Sequence, residues 1–244
     1  MSVHVAPLSS YSQELLLSPG EIHFLWWFIQ GSIMNPSTRE RLRRAWGMCE
    51  RHAWGWMIVE AAFRNGFMHG PAVLYEDVMG LALEALQMRG PLQFGRLKRR
   101  LRQKSLCLMC EEGYGPNTPG FVRPNIVEQG RDLTQFRLLA RRTYPHWKDA
   151  VCGRCSGDES PVRCRRHLIE DELPGIVGDV LGPHELVSYC VRHLRTYARS
   201  FQFEFHGTET PEDEAALICA VGWCSGWSQM LSAVGPFGQM PKPL

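Results

Sequence analysis

The sequence predicts an all-helical protein of two lobes with zinc-knuckle insertions, and two observations support this prediction. Apolar residues recur at helical spacing along most of the 244 residues, and only residues 202–206 show the alternation typical of a strand. Cysteine and histidine are concentrated in five short pairs whose spacing suits metal ligands. We therefore expect Cys3His sites and little or no β structure.

The composition is that of an ordinary globular protein. Hydrophobic residues make up 44% and charged residues 21% of the chain, and the net charge is only +2. Residues 1–10 lack the basic and apolar regions of a secretory signal, so we expect a reducing, cytoplasmic location in which the nine cysteines stay unpaired. The longest apolar run, 22–33, is too short and too interrupted to cross a bilayer.

The predicted helices follow from local start and stop signals. Ser18-Pro19-Gly20-Glu21 starts the first helix, and Asn35-Pro36-Ser37 ends it and caps the second. Thr210-Pro211-Glu212-Asp213 starts the last helix, with its acids at the positive end of the dipole. The predicted helices cover residues 21–34, 38–46, 50–63, 72–88, 93–104, 133–142, 183–200 and 211–231.

Changes in composition divide the chain into three parts. Residues 1–19 are expected to form a loose arm, residues 20–105 a Trp-rich helical lobe, and residues 106–244 a zinc-binding helical lobe. The boundary is placed near residue 105 because glycine and proline become frequent between residues 110 and 133, as in loops and linkers.

The strongest metal signal lies within one sixteen-residue window. Its four candidate ligands are Cys152, Cys155, Cys164 and His167. This is the ligand set and order of a zinc knuckle followed by a ligand-bearing helix. Gly153 and Gly157 permit the tight turn that points backbone amides at the thiolates. We predict a structural zinc here.

A second Cys-x-x-Cys pair, Cys107 and Cys110, needs two further ligands. Two pairs could supply them: Cys190 with His193, or Cys49 with His52. If each lobe repeats a Cys-x-x-Cys element followed by a helix beginning Cys-x-Arg-His, the partners are Cys190 and His193. We adopt that assignment, which predicts two zinc ions in all. The ligand types alone do not separate zinc from iron.

This assignment leaves Cys49 and His52 without partners. A complete site at Cys49 and His52 would have to recruit His23, His69 or Glu21. An incomplete ligand set is typical of a catalytic zinc site with an open position, and also of a degenerated structural site. The candidate catalytic residues are Cys49, His52, His69, Tyr75, Glu76 and Asp77. They would face a pocket lined by Trp26, Trp27, Trp54 and Trp56, and a filled Trp-rich core there would remove this hypothesis.

A resemblance covers about residues 20 to 90. The stretch Gly47-Met-Cys49-Glu-Arg-His52-Ala53-Trp54, followed by Gly70-Pro-Ala-Val-Leu74-Tyr75-Glu76-Asp77, resembles an uncharacterised family of bacterial helical metal-binding proteins. Members pair a Cys-Pro-x-Cys element with a downstream Gly-x-Cys-x-x-His-Ala helix and then an Ala-x-Leu-Tyr-x-Asp helix. The first Cys-Pro-x-Cys is missing from this chain. The resemblance implies a metal-binding helical fold and no particular reaction.

Familiar enzyme signatures are absent from the sequence. It has no Gly-rich phosphate loop after a strand, no Gly-x-Ser-x-Gly and no His-Glu-x-x-His. The Cys-x-x-Cys pairs lack the strand–helix context of a redox motif, so metal binding is favoured. Cys219 and Cys224 lie in an apolar helix and are expected in the core.

Two classes of function remain. The first is a zinc-stabilised binding or adaptor protein whose arginine-rich helix faces, at 39–44, 96–104 and 137–142, dock on nucleic acid or an acidic protein. A solvated helix face is the simpler explanation of each charge run. The second class is a metal-dependent enzyme of small-molecule, secondary metabolism with its reactive centre near Cys49 and His52.

Overall fold

All regular secondary structure in the described part of the chain is helical, in agreement with the predicted fold class. The computed structural model describes residues 15–87, 93–172 and 181–235. The α-helices are α1 (Pro19–Phe28), α2 (Pro36–Arg44), α3 (Glu50–Phe63), α4 (His69–Gln87), α5 (Gln93–Leu101), α6 (Leu108–Glu111), α7 (Pro124–Gly130), α8 (Thr134–Arg142), α9 (Tyr144–Trp147), α10 (Gly153–Ser156), α11 (Arg165–His167), α12 (Leu181–Ser200), α13 (Pro211–Ser225) and α14 (Ser228–Val234). Short 3-10 turns cover Ser32–Met34, Lys148–Ala150 and Phe203–Phe205, and a π-turn covers Leu168–Glu172.

The predicted strand at residues 202–206 is wrong. Phe203–Phe205 forms a 3-10 turn between α12 and α13, and the side chain of Phe203 is 98% exposed. An alternating segment becomes a strand only where a neighbouring strand takes its backbone hydrogen bonds, and no strand lies in the described residues. The alternation of phenylalanine with polar residues therefore has no structural consequence here.

Helix starts follow the predicted capping signals closely. At the start of α1 the Ser18 hydroxyl accepts from the Glu21 amide (3.2 Å), and the Glu21 carboxylate accepts from the Ser18 amide (2.7 Å). Thr210 and Asp213 form the same reciprocal capping box at α13. Each box satisfies amides that the first helical turn leaves without partners.

Some helix ends differ from the predictions. Gly31, with φ of 130°, separates α1 from the following 3-10 turn, and Gly226, with φ of 118°, separates α13 from α14. Such φ values interrupt a right-handed helix and favour glycine. The expected loop at residues 110–133 contains α7. The predicted last residue of the fourth helix, Met88, lies outside the described residues.

The helices enclose one hydrophobic core that draws on both predicted lobes. α12 packs along α4 and α13, and α3 contacts α1, α7, α8 and α13. The core contains the fully buried rings of Trp54, Trp56, Trp147, Trp223 and Trp227. The boundary near residue 105 stays a prediction. Of the predicted N-terminal arm, residues 1–14 lie outside the described residues, whereas Leu15 and Leu17 are buried in the core.

None of the described helices combines the length and the apolar character that a bilayer-spanning helix needs.

Candidate metal centres

The first cluster joins the start of α3 to the short helix α6. Cys49 precedes α3 and His52 lies in its first turn, while Cys107 precedes α6 and Cys110 lies within it. One ligand atom from each of the four residues lies within 4.8 Å of the others. We call this group the α3–α6 cluster. Cys107 and His52 are buried, and Cys110 is the exposed member.

Distances within the α3–α6 cluster match a tetrahedral zinc site. Nδ1 of His52 lies 3.2 Å from the sulfur of Cys49 and 3.4 Å from those of Cys107 and Cys110. The sulfurs of Cys49 and Cys110 are 3.7 Å apart. Zn–S bonds of about 2.3 Å at tetrahedral angles place two sulfurs about 3.8 Å apart. Three thiols and one imidazole therefore surround a volume of the right size for one ion.

A buried carboxylate orients the histidine of this cluster. Nε2 of His52 lies 3.1 Å from Oε1 of Glu21, whose side chain is fully buried. Arg51 donates to both oxygens of Glu21, at 2.6 and 2.8 Å. Burial acts to raise the pKa of Glu21, but hydrogen bonds from Arg51 and His52 lower it to about 2. The ionised carboxylate thus holds the imidazole with Nδ1 turned toward the thiols.

The thiols of the α3–α6 cluster differ electrostatically. The hydrogen bond from Cys49, with a second from His52, lowers the pKa of Cys107 to about 3. Cys49, the partner in that interaction, has its pKa raised by the hydrogen bond to Cys107 and by burial. The thiolate is the form of cysteine that binds metal.

The second cluster brings together the four residues predicted for the compact site. Nδ1 of His167 lies 3.2 Å from the sulfur of Cys152, 3.5 Å from that of Cys155 and 3.3 Å from that of Cys164. The sulfurs of Cys155 and Cys164 are 3.8 Å apart. We call this group the α10–α11 cluster. Its donors have the same spacing as those of the α3–α6 cluster, so both suit one tetrahedral ion.

Glycine makes the tight turn of the α10–α11 cluster possible. A Cβ on Gly153 would lie 2.2 Å from the carbonyl oxygen of Ser160, closer than any side chain tolerates. Gly157 ends α10 with φ of 77°. The amide of Gly153 donates to the carbonyl of Val162 (3.0 Å) and fixes the two halves of the site together. These contacts agree with the tight turn that the sequence predicts, although the Gly153 amide points to a carbonyl oxygen and not to a thiolate.

The two clusters share one construction. In both, a cysteine with extended backbone precedes a helix whose third residue is the histidine: φ and ψ are −63° and 164° at Cys49, and −69° and 164° at Cys164. The other two thiols come from a Cys-x-x-Cys pair around a four-residue helix. Only the order along the chain differs, since the Cys-x-x-Cys pair comes second in the α3–α6 cluster and first in the α10–α11 cluster.

The predicted pairing of Cys107 and Cys110 with Cys190 and His193 is corrected by the structure, which places Cys49 and His52 there. Cys190 and His193 lie inside the long helix α12 and not at a helix start. Cys190 is fully buried beside Cys219, and Nδ1 of His193 lies 2.7 Å from Oδ1 of Asp213. A helix interior directs these two side chains to α13, away from either Cys-x-x-Cys pair.

None of the remaining candidate catalytic residues belongs to the α3–α6 cluster, although Tyr75 lies beside it, with its hydroxyl near the Gly47–Met48 backbone that precedes Cys49. Asp77 accepts from Arg43 through both oxygens, at 2.6 Å each. Tyr75 is fully buried, with its pKa raised by burial, and its hydroxyl lies 3.4 Å from that of Ser225. His69 and Glu76 line a different cavity, beside α12.

The expected tryptophan pocket is a packed core. The indole of Trp54 donates to the carbonyl of Gly226 (2.8 Å) and that of Trp56 donates to Glu60 (2.8 Å). Trp27 is 63% exposed. These rings pack with other aromatic side chains or face solvent, so they do not line a cavity at Cys49 and His52.

Sequence reasoning missed the role of Glu21. It was considered as a replacement ligand, whereas the structure places it behind the histidine. The capping signal Ser18-Pro19-Gly20-Glu21 located its helix, but nothing in the sequence indicates that α1 crosses the start of α3.

The fold and the two clusters define an all-helical protein with two Cys3His sites that could each hold a metal ion. Comparison of the chain with family models, with curated proteins and with solved structures found no match.

Proposed function

We propose that the protein is a zinc-stabilised helical scaffold that binds nucleic acid through the cationic face of α5. Three thiols and one imidazole at tetrahedral spacing support zinc in both clusters. All nine cysteines are free, in keeping with a reducing compartment such as the cytoplasm.

Closed ligand sets favour structural zinc over catalytic zinc. A catalytic site keeps one position for water or substrate, whereas each cluster here supplies four protein donors. In the α3–α6 cluster, Cys107 and Cys110 fill the positions that an enzyme with a reactive centre at Cys49 and His52 would leave open. The geometry therefore supports binding as the main activity.

The three arginine-rich segments differ in how they are used. In α2, Arg41 pairs with Glu111 and Glu112, at 2.9 Å each. In α8, Arg142 pairs with Glu214 and Arg137 donates to the carbonyl of Ala233. Apart from Arg44, whose side chain is exposed, the arginines of these segments interact with other groups of the protein, which argues against docking through them.

The α5 segment, residues 93–104, differs because most of its cations are exposed and none forms an ion pair in the described part of the chain, and this observation supports the proposal. It exposes Arg96, Arg99, Arg100, Arg102 and Lys104, with Lys98 partly exposed. Leu97 and Leu101 face the core and fix which side of the helix faces outward. Residues 93–104 contain no acid, and no ion pair involves these six cations in the described part of the chain. Four of the six are arginines, whose guanidinium groups bind phosphate through two parallel hydrogen bonds.

The test is the salt dependence of binding to a fluorescent 20-base-pair DNA and a single-stranded RNA, measured by anisotropy between 50 and 200 mM NaCl. The double variant Arg99→Gln/Arg100→Gln is expected to weaken binding of any sequence and to reduce the slope of log K against log salt by about 2. Elemental mass spectrometry on the same samples is expected to give two zinc ions per chain.

The matched control is Arg192→Gln/Arg195→Gln on α12, which removes the same charge from another helix. It is expected to leave the salt slope close to that of the unmodified protein. An unchanged slope in the α5 variant would contradict nucleic-acid docking through this face. Loss of polyglutamate binding in the α5 variant, with no nucleic-acid binding by the unmodified protein, would instead indicate an acidic protein partner.

A further inference from the structure

A cavity of about 500 Å³ lies beside the second half of α3. The end of α1, the start of α4 and the residue that follows α12 also form parts of its wall. Its volume falls within the ~300–1,000 Å³ typical of small-molecule sites. Its main lining side chains are Phe28, Trp56, Glu60, Arg64, Phe67 and Phe201. This cavity is separate from both cysteine clusters and from α5, so it has no part in the proposed function.

Glu60 places a carboxylate in the cavity wall. Its side chain is only 4% exposed. Trp56 Nε1 donates to one oxygen (2.8 Å) and the Gly70 amide donates to the other (2.9 Å). A Cβ on Gly70 would lie 2.9 Å from Oε2, so glycine is what allows this close approach.

After those two hydrogen bonds, the Glu60 carboxylate can still accept further hydrogen bonds. A carboxylate offers about four lone-pair sites, and it binds a positively charged donor, such as an ammonium group, more strongly than a neutral one. Burial raises the pKa of Glu60 to about 7, against the lowering effect of both hydrogen bonds. A cationic group in the cavity would compensate the cost of burying this charge.

Arg64 lies one helical turn beyond Glu60, on the same face of α3. Its guanidinium donates to the carbonyl of Ile29 (2.9 Å), which accounts for one of its five N–H groups. Arg64 is exposed and forms no ion pair within the described residues, although its charge lowers the pKa of Glu60. The cavity therefore presents a buried anion and an accessible cation about one helical turn apart.

Aromatic rings form much of the remaining wall. Phe28 and Trp56 pack edge to face with ring centroids 5.2 Å apart. Phe67 is 47% exposed at the rim, and its ring lies 6.2 Å from that of Phe201. His69 packs on Phe201 at 4.9 Å. An aromatic ligand would find both flat and edge contacts here.

We propose that this cavity binds an aromatic α-amino acid, with its ammonium group on Glu60, its carboxylate on Arg64 and its ring among Phe67, Phe201 and Trp56. The ammonium and carboxylate groups of the ligand are attached to one carbon, and they match the opposite charges of Glu60 and Arg64, which lie about one helical turn apart. A purely cationic or purely anionic ligand would satisfy only one of them.

Three probes with the same ring separate the contributions: L-phenylalanine, 2-phenylethylamine, which lacks the carboxylate, and 3-phenylpropionate, which lacks the ammonium. Binding is followed by NMR through the indole N–H signal of Trp56. L-phenylalanine is expected to bind at least about tenfold more tightly than either fragment, because each lost contact is a charge-assisted hydrogen bond.

Two variants assign the contacts. With Glu60→Gln, L-phenylalanine is expected to bind no more tightly than 3-phenylpropionate. With Arg64→Gln, L-phenylalanine is expected to bind no more tightly than 2-phenylethylamine. Arg99→Gln removes an exposed charge on α5 and serves as the control. It is expected to leave the relative affinities of the three probes unchanged. Arg64 is exposed, so its variant remains informative even where Glu60→Gln unfolds the protein.

Binding is also expected to depend on pH. With the Glu60 pKa near 7, its ionised fraction, and with it the affinity for 2-phenylethylamine, rises roughly tenfold from pH 6 to pH 8. The other titratable or charged groups near Glu60 are Arg64 on α3, His69 on α4 and Tyr197 on α12. Equal binding of all three probes, or no binding of L-phenylalanine at 10 mM, would each overturn the proposal.

Discussion

Glu21 contacts the ring nitrogen of His52 that faces away from the thiols, and Arg51 holds Glu21 in place. Three side chains from two helices thus behave as one unit around the α3–α6 cluster. Because a histidine binds zinc well only when its ring is turned correctly and its other nitrogen has a partner, the carboxylate would raise the affinity of this cluster for an ion without touching the ion.

Replacing Glu21 with glutamine is expected to weaken zinc binding in the α3–α6 cluster by about 10- to 100-fold. The neutral amide holds the imidazole less firmly. Its NH2 group also faces the N–H donor of Ser18 or Arg51, so one of the present hydrogen bonds is lost. Zinc transfer to a chromogenic chelator would show one ion released faster and one unchanged. The α10–α11 cluster is the internal control, and two unchanged ions would contradict the role assigned to Glu21.

At the scale of elements, the Cys-x-Arg-His pattern takes two structural forms. At Cys49 and Cys164 it begins a helix, with the cysteine extended and the histidine in the first turn. At Cys190 it lies inside α12, where the cysteine faces the core and the histidine contacts Asp213. Helix position, and not the pattern alone, decides whether sulfur and Nδ1 can approach a Cys-x-x-Cys pair.

The His52→Gln and His193→Gln variants test this distinction. His52→Gln is expected to reduce the zinc content from two ions to one, whereas His193→Gln is expected to keep both, because only His52 lies in a donor cluster. Elemental mass spectrometry on folded protein measures the content directly. One zinc in the His193 variant would restore the pairing with Cys190 that the sequence first suggested.

At the scale of the whole molecule, the two clusters close loops of very different length. Cys49 and Cys110 are 61 residues apart, whereas Cys152 and His167 are 15 apart. The α3–α6 cluster therefore ties distant parts of the core together, and the α10–α11 cluster stabilises a local turn. The entropic cost of closing a loop rises by about 0.6 kcal/mol for each doubling of its length.

Disrupting the longer cross-link should therefore cost more. Two doublings separate 15 from 61 residues, so Cys110→Ser is expected to lower the free energy of unfolding by about 1 kcal/mol more than Cys155→Ser. Urea unfolding in zinc-containing buffer measures both variants. A larger decrease in the free energy of unfolding for Cys155→Ser would contradict this prediction. It would show that the α10–α11 cluster stabilises more of the fold than its own turn.

Local signals were enough to predict much of the fold. Capping residues at Ser18 and Thr210 located the starts of α1 and α13, and apolar spacing located α3 at its observed bounds. The compact ligand set from Cys152 to His167 was also predicted in full, because all four donors lie within one short segment and glycine permits the turn between them. Interactions between near neighbours in sequence settle these features.

Pairings between distant segments were decided only by the tertiary structure. Two Cys-x-Arg-His patterns could have partnered Cys107 and Cys110, and sequence spacing ranks them poorly, since the choice depends on which helices pack together. The contact of α1 with the start of α3 brings Glu21 to His52, and the α4 start brings Gly70 to Glu60. The sequence by itself determined the helices and the metal-binding chemistry; packing determined which ligands share an ion and where the aromatic cavity opens.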